Sequence, residues 1–179
     1  MTGSDAALVT ASVREPDAFG HVFDRHVRVV HAYLARRLGD DQADDATAET
    51  FRLAFERRAS FDAARGDVRP WLLGIATNVA RHHQRDEERR LRALGRLAPD
   101  GATGEPSLPA SPAAGAALAE LEPGDRDVVL LVAWEDLSYE QVAAALDIPV
   151  GTVRSRLHRA RQKLRTALSG HLDEEDAHG

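Results

Sequence analysis

Six cationic side chains and no acid lie between Thr152 and Arg165: Arg154, Arg156, Arg159, Arg161, Lys163 and Arg165. Guanidinium groups at this density bind phosphate oxygens, and a bidentate arginine also reads the edge of a guanine. A merely solvated helix face interleaves Asp and Glu, so that side chains four apart can pair, and this stretch does not. Thr152, Ser155 and His158, small or polar, stand among the arginines and would let a helix approach base edges closely. Thr152, Arg154, Ser155, Arg156, His158 and Arg159 are therefore the candidate contacts to duplex DNA.

The elements that would position them are legible around this run. Val153, Leu157, Ala160 and Leu164 recur at spacings of three and four, which gives a helix one buried stripe opposite its cations. Upstream, Ser138 and Gln141 have the spacing of a capping box, and Val142, Ala143 and Leu146 fall on one face of a short helix. Asp147, Ile148 and Pro149 break the periodicity, and Pro149 suits the entry to a new helix. A short helix, a tight turn and a long basic helix make a major-groove reader.

Other chemistry finds no support. There is no cysteine, which excludes disulfides and thiolate metal sites and fits a reducing compartment. His26 and His31 are five apart and His82 and His83 adjacent, so neither pair places two ligands on one helical face. No Gly-rich phosphate loop or nucleophile motif is present, and no enzyme activity, cofactor or metal is expected. No apolar run has the length of a membrane span and the N-terminus lacks a signal-peptide pattern, so a cytoplasmic protein is expected, without membrane insertion.

The rest of the chain reads as helices. The 179 residues are 43% hydrophobic but only 5% aromatic, so any core must be built from Ala, Leu and Val. Residues 1–15 lack a sustained period and are expected to be a flexible lead-in. From Asp17 to Leu38 a stripe of Phe19, Val22, Phe23, Val27, Val30 and Leu34 predicts a helix ended by Gly39. A second helix is expected from about Gln42, with an acidic first turn and Ala46, Thr50, Phe51, Ala54 and Phe55 buried. A third, capped by Asp67, buries Trp71, Leu72, Ile75, Ala76 and Val79 and runs into a basic extension near Arg96. Residues 97–112 have the Pro- and Gly-rich composition of a linker. Beyond it come a weak Ala-rich helix and a firmer one with Val128, Val129, Leu131, Val132 and Trp134 in its core. An acidic tail, 171–179, is expected to be disordered. The fold class is all-α: two small helical domains, 16–96 and 113–170, joined by a flexible linker. The net charge of −6 is segregated, which suits a protein that binds DNA weakly alone and needs a partner to hold it there.

The stretch LSYEQVAAALDIPVGTVRSRLHRARQKLR resembles region 4 of bacterial sigma-70-type factors, in particular the extracytoplasmic-function (ECF) group, with Ile148 to Arg156 its most characteristic run. The segment from His21 to Arg90 resembles region 2 of the same group. The resemblance implies a factor that binds core RNA polymerase, through the β′ clamp helices and the β flap, and directs promoter-specific initiation. It implies that Asp17 to Arg58 docks on polymerase, with Asp44, Asp45, Glu49 and Arg52 as contacts. It further implies that Phe61 to Arg90 opens the −10 element, with Phe61, Asn78, Arg81, His82 and Arg85 on the single strand, and that region 4 reads the −35 element. An anti-sigma factor is implied as a further partner. Two departures stand out: Ala46-Thr47-Ala48-Glu49 replaces the common Leu-Thr-Gln-Glu, and Pro70 replaces a helix former. The alternatives are a stand-alone LuxR-type helix-turn-helix regulator and a polymerase-binding decoy without initiation activity.

Overall fold

The computed structural model describes residues 3–64, 66–93 and 112–176. They form eight α-helices: α1 (Asp5–Ser12), α2 (Ala18–Leu38), α3 (Asp40–Arg57), α4 (Val68–Ala93), α5 (Pro112–Ala119), α6 (Pro123–Ala133), α7 (Tyr139–Leu146) and α8 (Val150–Asp176). A single 3-10 turn, Arg58–Ser60, closes α3. The linker expected at 97–112 falls outside the described residues, save that α5 starts at Pro112.

Helices α2, α3 and α4 pack against one another as the apolar stripes require. Gly39, at φ 83°, separates α2 from α3 with a backbone that a side chain would strain. The second helix starts at Asp40 rather than Gln42, because Gly39 supplies both the end of one helix and the cap of the next. Sparse aromatics are used in pairs: Phe19 meets Phe55 edge-on at 5.4 Å, and Phe23 meets Phe51 at 4.8 Å. Phe23 nevertheless stays 41% exposed.

Two expectations about the chain ends need correction. Residues 5–12 are not a lead-in but a helix capped by Ser4, with Leu8 and Val9 buried against the core. Two apolar residues are too few for a visible period, yet they suffice when Asp5 is also tied to Arg25 and His26 at 2.6 and 2.7 Å. At the other end the backbone of α8 continues to Asp176, so the first six residues of the expected disordered tail are helical.

Helix α4 is buried nearly all round from Leu72 to Ala80, Asn78 excepted. One side faces α2 and α3; the other meets α7. At Gly74 the two helices cross so closely that a Cβ would lie 2.1 Å from the carbonyl oxygen of Ala145. The two halves of the chain are thus in direct contact. This placement also explains both tryptophans, which are half-buried at the boundary instead of being core residues.

Candidate nucleic-acid interface

The helix-turn-helix is built as its sequence requires. The Ser138 hydroxyl accepts from the Gln141 backbone N–H at 3.2 Å, and the Gln141 side chain accepts from the Ser138 N–H at 2.9 Å. Asp147 ends α7 in the left-handed region at φ 51°, where its short polar side chain is tolerated. Val153, Leu157 and Ala160 are buried beneath α8, with Leu164 half-buried. That fixes the rotation of the helix and turns Arg154, Ser155, His158 and Arg159 outward, with Thr152 and Arg156 half-exposed at the edges. Arg154 has no intramolecular partner among the described residues, so its guanidinium is free for phosphate or base. The Ser155 hydroxyl donates back to the Thr152 carbonyl at 3.0 Å.

Arg159 is not free. Its Nη2–H and Nε–H donate to the two carboxylate oxygens of Asp125 at 2.8 and 3.2 Å, and this hydrogen bonding holds the guanidinium above its ordinary value. Asp125 is buried in the first turn of α6, where it also suits the helix dipole. Sequence reading missed it, because an acid in a first turn reads as a capping group. The pair clamps α8 to α6 and sets the side chain's direction.

Of the expected polymerase contacts, Asp44, Asp45 and Arg52 share one exposed face of α3 with Asp41 and Ala48, at spacings of three and four, whereas Glu49 is half-buried at its edge. Asp44 accepts from or pairs with His31 at 3.0 Å while staying 91% exposed, Glu49 meets His83 at 3.0 Å, and Arg52 pairs with Glu56 at 2.6 Å. Ala48 lies on this face, with no polar group to offer.

The proposed single-strand residues are divided. Asn78, His82 and Arg85 are exposed along one side of α4, with His82 against Asp86 at 3.0 Å and the Arg85 Nε–H donating to the Arg81 carbonyl at 3.1 Å. Phe61 sits about two turns earlier, tilted against Trp71 with ring centres 5.1 Å apart. This aromatic pair lines a cavity of about 400 Å³ whose opposite wall is α7, through Gln141, Ala144 and Asp147. Arg81 is half-buried and turned to the other half of the chain: its Nε–H donates to Oδ2 of Asp127 at 2.6 Å.

Asp127, on α6, is fully buried. A second arginine, Arg37, approaches its other oxygen to 2.6 Å but off the hydrogen-bond axis, so neither Oδ1 nor Arg37 Nε has an aligned partner. Arg37 is held from behind by the Tyr33 hydroxyl at 2.8 Å, which in turn meets Thr77 at 2.7 Å. Thr77 spends its one hydroxyl hydrogen on the Leu73 carbonyl, so Tyr33 donates to Thr77 and accepts from Arg37. Glu135, 4% exposed at the end of α6, receives Arg69 at 3.0 Å and Arg36 at 3.4 Å. Burial pushes the Glu135 carboxyl up, against the opposing pull of Arg69 and Arg36.

Among the described residues no group of three metal-ligating side chains is assembled, and no helix is long and apolar enough to cross a membrane. Residues 22–90 match the family described as Sigma-70 region 2, and residues 113–164 the one described as Sigma-70, region 4. The chain is 36% identical over 155 residues to the ECF RNA polymerase sigma factor SigE of Mycolicibacterium smegmatis, covering 79% of this chain and 58% of that one. It is 32% identical over 172 residues to the ECF RNA polymerase sigma factor SigC of Mycobacterium tuberculosis, covering 91% of this chain and 92% of that one. Among solved structures, CnrH in complex with the cytosolic domain of CnrY superposes with a TM-score of 0.66 at 27% identity, covering 94% of this chain and 99% of that one. On these matches and this architecture, the chain belongs to the ECF group of the sigma-70 family of RNA polymerase sigma factors.

Proposed function

We propose that this chain binds core RNA polymerase and directs initiation at promoters of its own class, helices α2–α4 acting at the −10 element and α7–α8 at the −35 element. The observation that carries the reading is one chain holding both sigma regions, the second presenting an acid-free cationic face on a helix whose rotation is fixed by Val153, Leu157 and Ala160. Arg154, Ser155, Arg156 and His158 are the −35 contacts, with Thr152 at the edge and Arg159 oriented by Asp125. The face of α3 that carries the exposed Asp44, Asp45 and Arg52, with the half-buried Glu49 at its edge, docks on polymerase, and Asn78, His82 and Arg85 meet the opened strand. RNA synthesis itself belongs to the polymerase, and the place of action is the cytoplasm. CnrH is described in complex with CnrY, and an anti-sigma partner is part of the proposal here.

The test is transcription of fragmented host DNA by purified core polymerase with and without the protein. Discrete new start sites only on addition support the reading; tight duplex binding without new starts refutes it. Arg154→Ala should reduce −35-dependent initiation by the loss of one contact worth about 1–3 kcal/mol, roughly 5- to 150-fold, and leave core binding intact. Equal loss of both activities would contradict the division of labour.

A further inference from the structure

Five arginines from four helices line one cavity of about 690 Å³: Arg37 of α2, Arg81 and Arg85 of α4, Arg126 of α6 and Arg156 of α8. Two acids share its wall, Glu122 and Glu88, and Glu88 pairs with Arg92 at 3.5 Å. Asp127 holds Arg37 and Arg81, whereas Arg85, Arg126 and Arg156 meet no carboxylate among the described residues. A cavity lined mainly by one sign of charge concentrates ions of the other, and it does so here within a chain of net charge −6.

Three features of the wall leave positive charge unanswered. Arg37, only 3% exposed, borders the cavity with its Nε–H unpartnered. Arg126 gives its Nε–H and Nη2–H to the Leu118 and Leu121 carbonyls at 2.8 and 3.2 Å, and burial followed by the charge of Arg37 depresses its guanidinium. The third feature is the start of α6. Its cap residue, Glu122, makes no side-chain capping bond, and the Gly124 N–H meets no acceptor among the described residues. The Arg156 guanidinium lies directly on this helix end: a Cβ at Gly124 would stand 2.7 Å from its Nη1 and 2.9 Å from its Cζ. A cation laid on the positive end of a helix is unfavourable unless an anion joins them. The rest of the lining includes an apolar wall of Leu121, Leu146 and Ile148.

We propose that this cavity is a binding site for a nucleoside di- or triphosphate. The phosphates lie among Arg85, Arg156 and the start of α6, and the base rests on Leu121, Leu146 and Ile148. Guanidinium groups take phosphate oxygens through paired N–H···O bonds, and a first-turn N–H such as that of Gly124 adds a further donor. An apolar wall beside the cations favours a ligand that carries a base over a bare phosphate. The volume also suits one, small-molecule sites measuring about 300–1,000 Å³. The site goes beyond the promoter reading and does not depend on it, although the half-exposed Arg156 borders both this cavity and the DNA-reading face.

The test is calorimetric titration of the full-length protein with ATP, GTP and inorganic pyrophosphate in magnesium-free buffer. At least one nucleotide should bind at one site per chain, about tenfold or more tighter than pyrophosphate. No saturable binding of any of the three at about 1 mM overturns the site. Pyrophosphate that binds as tightly as both nucleotides overturns the place given to the base. Arg85→Gln and Arg156→Gln should each weaken nucleotide binding by about 10- to 150-fold, the factor carried by a hydrogen bond to a charged group. Arg161→Gln removes the same charge from an exposed position of α8 outside the cavity and should change the affinity by less than about twofold. Equal losses at Arg156 and Arg161 would mean a general cationic surface and overturn the proposal. Gly124→Asp sets a carboxylate beside Arg156 at the start of α6, where the phosphate is placed. It should abolish nucleotide binding and raise the melting temperature, because the chain then supplies the anion itself. A lower melting temperature with nucleotide binding retained overturns the placement of the phosphate.

Discussion

Gly74→Ala isolates the contact between the halves from the charges around it. The added Cβ would lie 2.1 Å from the Ala145 carbonyl oxygen, 2.9 Å from its carbon and 3.1 Å from its Cα. All three atoms are backbone, so no rotamer change can relieve the clash, and the oxygen must retreat by about 0.9 Å to reach 3.0 Å. Moving a packed helix to admit a methyl group costs about 1–3 kcal/mol. Within α4 the substitution acts in the opposite direction, because alanine is favoured over glycine in a helix interior by about 0.8–1 kcal/mol. The two effects fall on different parts of the molecule. Amide hydrogen exchange of the intact chain should show protection in α7 falling by about 5- to 150-fold, the exponential of that packing cost, with protection in α2 and α3 unchanged or raised. If α7 keeps its protection to within about twofold, the crossing has slack and the close contact is not a restraint. If α2 and α3 lose protection together with α7, the two halves open as one cooperative unit and the confinement of the clash to α7 is refuted.

Two further perturbations probe the supports of the N-terminal half. Tyr33→Phe removes a buried hydroxyl that accepts from Arg37 and donates to Thr77, and should lower stability by about 1–3 kcal/mol in urea titration, since Arg37 is left with a further unmet donor. A loss near zero would mean that water or a shifted Thr77 takes its place. The second concerns pH. Partial burial raises the Asp5 carboxyl, but hydrogen bonds from Arg25 and His26 and their charges outweigh it and leave the group below its ordinary value of 3.8. A depressed acid contributes stability that is fully present above 3.8 and is lost as the pH falls through the folded value. Asp5→Asn should therefore lower the urea midpoint at neutral pH and flatten the acid limb below about 3.8, whereas an unchanged acid limb would show that Asp5 does not anchor α1.

What could be read in the chain and what could not are separated by the range of the interaction. Ser138 and Gln141 are three residues apart, and Val153, Leu157 and Ala160 share a face of one helix, so local spacing was enough to place the DNA-reading unit and the outward turn of Arg154. Asp127 and Arg37 are 90 positions apart, and each carries a satisfactory local explanation. Arg37 lies in the last turn of α2, where a cation suits the helix dipole. Asp127 lies two residues beyond Asp125 near the start of α6, where acids are favoured. Each is nonetheless nearly inaccessible, because the partner that neutralises it arrives from the other half of the chain. Glycine 74 is the same case in apolar form: within α4 it looks like a weak helix position, and only the backbone of Ala145 gives it a reason. The residues hardest to read locally are therefore those that join the halves. A charged residue beside an apolar run, such as Asp127 before Val128 to Val132, is the one local trace they leave. Such a residue is at ease on a surface until another part of the chain covers it, and here Arg37 and Arg81 arrive from the other half to neutralise Asp127 where it is buried.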